Sequence, residues 1–389
     1  MTQIAAVVGG HVLVDDGFES TDVLMDGAQI GGIEESTSPA AASQGITIDA
    51  SGMLVTPGLI DIHIHGLRGY SFADADANGI AEMGRYLAHE GVTSYVASLA
   101  SAGTDDLERA LSRLDDYAGE AAEARMLGAH LEGPFLAPAQ RGAHATRELR
   151  SPSEADVELI RRWARMIRMI TVAPEIDGVL GLTEELAEEL RVVVAAGHSD
   201  ADGDALRALQ AAGGTHITHL WSGQSMLRRD GPWRVPGMLE ASLASTGMTA
   251  EVIADGKHLP AALLEIARRC LGDDLVVVSD GTPGTGMPDG FRYRLGEVEC
   301  VVSDGVGVVV GADSFGGSTT TLAEMVRYLA LDLEWGRAEV FRMATENAAR
   351  AVGVDDERGR IAAGLVADLV VWDSALRPVA VIRDGCRVA

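Results

Sequence analysis

The chain has 389 residues, 47% of them hydrophobic, with 58 acidic against 31 basic residues and a formal charge of −27. At about 150 residues per domain, this length allows two or three domains, or one large barrel with an accessory unit. The acidity excludes nucleic acid as the main partner, since phosphate-backbone binding needs a basic surface. Three scattered cysteines form neither a disulfide framework nor a CxxC zinc site. The first residues lack the basic region of a signal peptide, and no run of about 18 apolar residues suggests a membrane span. The expectation is a cytoplasmic protein with no membrane partner.

The first 55 residues read as short strands (4–8, 11–14, 23–25, 30–33, 47–49 and 53–55) separated by turn chemistry. Residues 34–43, rich in Ser and Ala, read as an exposed loop. From Gly58 the texture changes. Apolar runs at 59–64, 93–97, 125–131, 169–172, 192–196, 216–220, 249–253 and 275–278 alternate with amphipathic stretches at 80–90, 105–117, 153–166, 181–189, 200–212 and 261–271. Strands buried on both faces read as continuous apolar runs. Eight of them with helices between predict an α/β fold, a (β/α)8 TIM-type barrel. Strand-like runs return at 291–295, 297–302 and 306–310, helices follow at 319–331 and 337–349, and the end is β-rich again at 367–372 and 379–383. The simplest packing joins both chain ends in one small discontinuous β-sandwich. The expected domains are 1–56 and 356–389 for that unit and 57–355 for the barrel.

Polar residues gather at the strand C-termini, the face that carries the active site in such barrels. His63 and His65 end the first run and project the same way at i and i+2. They are half a divalent metal site or two surface histidines. Glu132 ends an apolar strand before Gly-Pro, as a salt-bridge partner, a cap or a ligand. His198 follows the run at 192–196. Of His216 and His219, one should face the site, and His216 can be a structural, hydrogen-bonded histidine. Asp280 follows the eighth run. Of ten histidines, four fall at strand ends, with Glu132 and Asp280 beside them. Imidazole and carboxylate suit zinc or a similar divalent ion. Such an ion acidifies water and polarises a carbonyl, and a free carboxylate such as Asp280 can carry the proton. The chemistry indicated is metal-assisted hydrolysis of an amide or related C–N bond.

The segments PGLIDIHIHG (57–66), HLEGPFLAPAQRGAH (130–144), AAGHSDA (195–201), THITHL (215–220), AEVIADGKHL (250–259), VVSDGTPGTGMPDG (277–290) and GRIAAGLVADLVVWD (359–373) resemble the amidohydrolase superfamily. Within it, HLEGPF and ADG-x-H resemble the N-acetylglucosamine-6-phosphate deacetylases. The resemblance implies hydrolysis of the N-acetyl amide of an amino-sugar phosphate by a homodimer. It also implies Glu132, His198 and His219 as core ligands of a divalent metal such as zinc. His63 and His65 would add a second position, so that one or two ions bind per subunit. Asp280 would be the general base and then acid. Substrate contacts carried over are Ala143, Arg234, Asp255, Gly256, His258, Phe315, Gly316 and Gly317, with His144 open between substrate contact and loop histidine. Arg234 and a dimer partner would serve the 6-phosphate. One departure stands out. Where the family usually continues THLFNAM, this chain has THLWSGQSM, so the pocket that reads the sugar is altered and another N-acyl substrate is the alternative. A non-catalytic scaffold is a remote one. The Gly-rich 281–286 segment lacks the Lys-Ser/Thr of a phosphate loop and reads as a turn carrying Asp280.

Overall fold

The computed structural model describes residues 2–15, 17–35, 45–119 and 122–389. The loop expected at 34–43 lies outside these from residue 36 on, while Glu34 and Glu35 close a strand.

Both chain ends build one sheet. Its first strands are β1 (Thr2–Val14), β2 (Gly17–Asp26), β3 (Gln29–Glu35), β4 (Ile46–Asp49) and β5 (Leu54–Pro57). The two runs expected at 4–8 and 11–14 are one strand. Gly9 takes a left-handed φ of 73° there, and the register against β2 shifts between Val7 and Gly10, so the glycine pair makes a bulge rather than a turn.

Eight parallel strands follow: β6 (Leu59–Ile64), β7 (Val92–Ala100), β8 (Arg125–Glu132), β9 (Ile167–Val172), β10 (Val193–Ala196), β11 (His216–Ile217), β12 (Thr249–Ile253) and β13 (Leu275–Val278). Every residue of β6, β7 and β12 is buried, as expected for strands covered on both faces. At the mouth the ring closes where Asp280 N–H donates to the His63 carbonyl (2.9 Å) and His65 N–H to the Gly281 carbonyl (2.7 Å). The run expected at 216–220 is a strand only over His216–Ile217. Beyond it the His219 amide turns to the Glu251 carboxylate and the Leu220 amide to the Glu251 carbonyl.

A three-stranded antiparallel insert, β14 (Arg292–Leu295), β15 (Val298–Ser303) and β16 (Val306–Val309), stands over the mouth. Its own apolar cluster joins Tyr293, Leu295, Cys300 and Val302 to Ala100 and Ala143 of the barrel loops. The helix expected at 319–331 begins later, at Leu322, where Thr321 and Glu324 form a capping box. The one expected at 337–349 is broken into Arg337–Met343 and Glu346–Ala351. Thr345 between them donates its hydroxyl to the Phe341 carbonyl.

The chain then returns through β17 (Leu369–Trp372), β18 (Pro378–Arg383) and β19 (Cys386–Arg387). The order is β19-β18-β17-β5-β1-β2-β3, with β4 beside β1 and β19 also paired to β1. The sandwich is therefore a single sheet curled over one core that includes Val12, Val23, Val55, Leu369 and Ile382. No helix among the described residues is long and apolar enough to cross a membrane.

Candidate active site

Five strands, with the residues just beyond them, deliver side chains to the barrel mouth. Glu132 is the last residue of β8, and His63 lies in β6 with His65 just beyond it. His198, His219 and Asp280 each sit two residues past a strand. His198 (φ 46°) and Asp280 (φ 44°) occupy the left-handed region, which is costly for residues with a Cβ and is commonly found where function holds it. That backbone turn swings both side chains toward the barrel axis.

Glu132 is the centre of the cluster. Its Oε1 lies 2.9 Å from His219 Nε2, 3.1 Å from His198 Nε2 and 3.5 Å from His63 Nε2, and its Oε2 lies 3.2 Å from both His65 Nε2 and His144 Nε2. Asp280 Oδ1 is 3.6 Å from the Nε2 atoms of His63 and His65. All seven side chains are buried. Burial alone would push the Glu132 pKa up. The fields of His144 and His63, with hydrogen bonds from His144 and His198, override it and hold the carboxylate well below its ordinary range. Burial pushes His144 down to about 4, against the pull of Glu132. For His63 the fields of Glu251 and Glu132 win over burial and hold it well above an ordinary imidazole.

The donor set fits a divalent cation. His63 and His65 direct their Nε2 atoms at each other across 3.3 Å, and the Nδ1 atoms of His65 and His219 have no hydrogen-bond partner among the described residues. Three groups each bring ligand atoms within 4.8 Å of one another: His63, Glu132 and His219; His63, His65 and Asp280; and Glu132, His144 and His198. Imidazole nitrogen with carboxylate oxygen is the ligand chemistry of zinc and its first-row neighbours.

Above this floor opens a cavity of about 260 Å³. Ala143, His144, His258, Phe315 and Gly317 line it, as do Trp221, Ser222 and Gly223 of the segment that departs from the family pattern. Other expected contacts lie elsewhere. The Asp255 carboxylate accepts from His258 Nδ1 (2.7 Å) and from Ser318 Oγ (2.9 Å), so it orients His258 and does not face the cavity. Gly316 gives its carbonyl to the Tyr293 hydroxyl, and Gly256 packs beside Tyr328. Arg234 is exposed, in a hairpin of Arg228–Asp230 and Trp233–Val235, and donates to the Pro232 carbonyl. Among the described residues, no lysine or arginine lines the cavity.

Sequence reasoning missed Glu251 and left His144 open between substrate contact and loop histidine. His144 reaches Glu132 beside the expected ligands, while its Nδ1 accepts the Ser101 amide (3.2 Å). Glu251 lies under the site, where an acid inside the apolar run at 249–253 was the available signal. His216 is buried against Glu251 and Thr249.

A (β/α)8 barrel with imidazoles and carboxylates converging at its strand ends defines a hydrolase of the metal-dependent type. The chain belongs to the amidohydrolase family, whose profile matches residues 54–388, and is an enzyme of C–N bond hydrolysis. It is 33% identical to the N-acetylglucosamine-6-phosphate deacetylase of Vibrio furnissii, over 82% of this chain and 78% of that one. It is 31% identical to the N-acetylgalactosamine-6-phosphate deacetylase of Escherichia coli O157:H7, over 83% and 84%. Among solved structures, it matches an aspartate-to-alanine variant of the Mycobacterium smegmatis N-acetyl-D-glucosamine-6-phosphate deacetylase in complex with N-acetyl-D-glucosamine-6-phosphate. The TM-score is 0.87, with 31% identity and coverage of 100% of this chain and 98% of that one.

Proposed function

We propose that the protein hydrolyses the N-acetyl amide of N-acetylglucosamine 6-phosphate, releasing acetate and glucosamine 6-phosphate. The observation that carries this reading is the convergence of Glu132, five imidazoles and Asp280 on the floor of a cavity of sugar size. The similarity to named deacetylases over most of the chain supports it.

Glu132, His198 and His219 would hold the essential ion, and the pairing of imidazole with carboxylate points to zinc. His63 and His65 would complete a second position. When bound, the ion supplies Lewis-acid polarisation of the amide carbonyl and acidifies water. Asp280 takes the proton of the attacking water as its oxygen adds to the acyl carbon. It then returns the proton to the nitrogen as the C–N bond breaks, so the amine leaves neutral. His258, with Nδ1 held by Asp255, has Nε2 left for the sugar or its phosphate. Phe315, 4.4 Å from the His258 ring, closes the same wall.

The phosphate needs a cation that the cavity's own lining lacks. A homodimer that brings Arg234 across from a second copy would supply it. The exposure of Trp233, Met226 and Leu227 around that hairpin supports such a contact. The same lack of a lining cation favours a second reading, an unphosphorylated or differently configured N-acyl amino sugar. Assay of N-acetylglucosamine, N-acetylgalactosamine and their 6-phosphates, with free amine and acetate quantified, separates the two. A preference for the neutral sugars would overturn the phosphate assignment and leave the deacetylase standing.

A further inference from the structure

Glu251, on β12 beneath the mouth, is completely buried and holds three donors at once. Its Oε2 accepts from His63 Nδ1 (2.9 Å) and from the His219 amide (3.1 Å), and its Oε1 accepts from His216 Nε2 (2.9 Å). An ionised carboxylate only accepts, so both imidazoles must carry their protons on the nitrogens that face it. For His63 this leaves Nε2 as the nitrogen that can offer a lone pair to an ion. That atom lies 3.3 Å from His65 Nε2, 3.5 Å from Glu132 Oε1 and 3.6 Å from Asp280 Oδ1. For His216 it leaves Nδ1 bare, and Thr249 Oγ1 sits 2.6 Å from it as the donor. Thr249, His216, Glu251 and His63 thus form one relay with a single proton arrangement.

The other imidazoles are not held alike. His198 Nδ1 donates to the Gln140 carbonyl (2.8 Å). His65 and His219 have no partner at Nδ1. Each of the two cation positions therefore contains one imidazole braced from behind, His198 in the first and His63 in the second. Bracing of this kind fixes tautomer and ring plane and raises ligand basicity.

We propose that Glu251 is the positioning residue for the second cation position, holding the His63 Nδ1 proton so that Nε2 is always presented to the site. This rests on the two-position reading given above. Glu251→Gln keeps the size but turns an amide N–H toward either His216 or the side shared by His63 and the His219 amide. One of the two must then reverse its tautomer or lose its bond. Thr249→Val removes the far donor and lets His216 reverse instead.

The test is cobalt(II) titration of chelator-stripped full-length protein, with bound equivalents counted by elemental analysis and d–d absorption recorded for each. The wild type should take two equivalents. Glu251→Gln should keep the first with unchanged affinity and spectrum and bind the second about 10- to 100-fold more weakly. Thr249→Val should shift the second in the same direction by less. A role confined to packing would leave both equivalents in place. Two equivalents of unaltered affinity in Glu251→Gln overturn the proposal alone. One equivalent in the wild type overturns the two-position reading and the proposal with it. Should Glu251→Gln not fold, an unaltered second affinity in Thr249→Val overturns it.

Discussion

The mouth of the barrel and the sheet built from the chain ends handle buried polarity in opposite ways. In the sheet, Trp372 Nε1 donates to Thr56 Oγ1 (2.8 Å), and that hydroxyl donates onward to the Pro57 carbonyl (2.8 Å). At the seam with the barrel, Arg358 Nη1 meets Asp368 Oδ2 at 2.9 Å and Ser94 Oγ at 3.1 Å. Arg358 Nη2 also reaches Glu357 at 3.7 Å, and Nε alone of this guanidinium lacks a partner among the described residues. In the mouth, five imidazoles crowd one carboxylate, and two ring nitrogens are left without partners. Buried polar groups are ordinarily satisfied, because an unmade hydrogen bond costs the full desolvation of the group. The difference teaches that the sheet and its seam scatter their unmade bonds, Thr47 Oγ1 and Arg358 Nε among them, while the mouth gathers its own on ligand-type nitrogens around one carboxylate and is arranged around something it must bind.

If that contrast holds, substitutions in the two regions should fail differently. The largest effect is expected from Glu132→Ala. It should abolish stoichiometric binding of divalent metal, measured by elemental analysis, and lower turnover by more than the roughly 10⁴-fold ceiling of a single acid–base group. Retained metal with near-normal turnover would sink the assignment. Asp280→Asn should come next, with kcat down by about 10²–10⁴-fold while metal content and melting temperature stay near wild type. A loss under about tenfold would argue against proton transfer by this residue.

Asp368→Ala makes the opposite test. It leaves the Arg358 guanidinium buried without its carboxylate and should cost about 3–5 kcal/mol of stability, read by denaturant unfolding. Turnover per folded molecule should not change. A loss of kcat in the folded fraction would mean that the seam and the mouth are coupled. The smallest effect sharpens the contrast from outside both regions. Arg234→Ala should raise KM for a 6-phosphorylated substrate by about 10- to 100-fold, the worth of a charge-assisted hydrogen bond, and leave the neutral analogue unaffected. Equal responses would remove Arg234 from phosphate recognition.

Much of this architecture is legible from residue patterns, for a physical reason. Runs such as Leu59–Ile64 and Leu275–Val278 are apolar along their length because both faces are covered, and such runs stand out in a sequence. The ligand-type residues stand out because imidazole and carboxylate are rarely placed at the ends of such runs without cause. What escapes is whatever depends on distances between strands. Nothing local says that His144 reaches Glu132 or that Asp255 turns to His258 rather than to substrate. Glu251 is hidden because its three partners come from β6, from β11 and from the loop beyond β11. The bulge at Gly9 and the break at Thr345 escape for another reason: a glycine or threonine is compatible with either outcome, and neighbouring strands or helices decide it.

The pairing of Thr2 with Arg387 has a consequence for how the chain is made. Among the described strands β1 to β5 are made early, yet the pairing of β1 with β19 and of β5 with β17 waits until β17 to β19 have arrived. Closing a loop of nearly the whole chain is entropically slow, although its cost rises only logarithmically with length. The barrel can close as soon as β13 reaches β6, with the last strands still to come. Until then β5 and the Thr2–Gln3 end of β1 present open strand edges on a nascent polypeptide, the kind of edge that pairs with other chains. The strands over residues 369–387 are thus the piece that covers these edges, and their removal should be felt first as loss of soluble yield rather than as a change in chemistry.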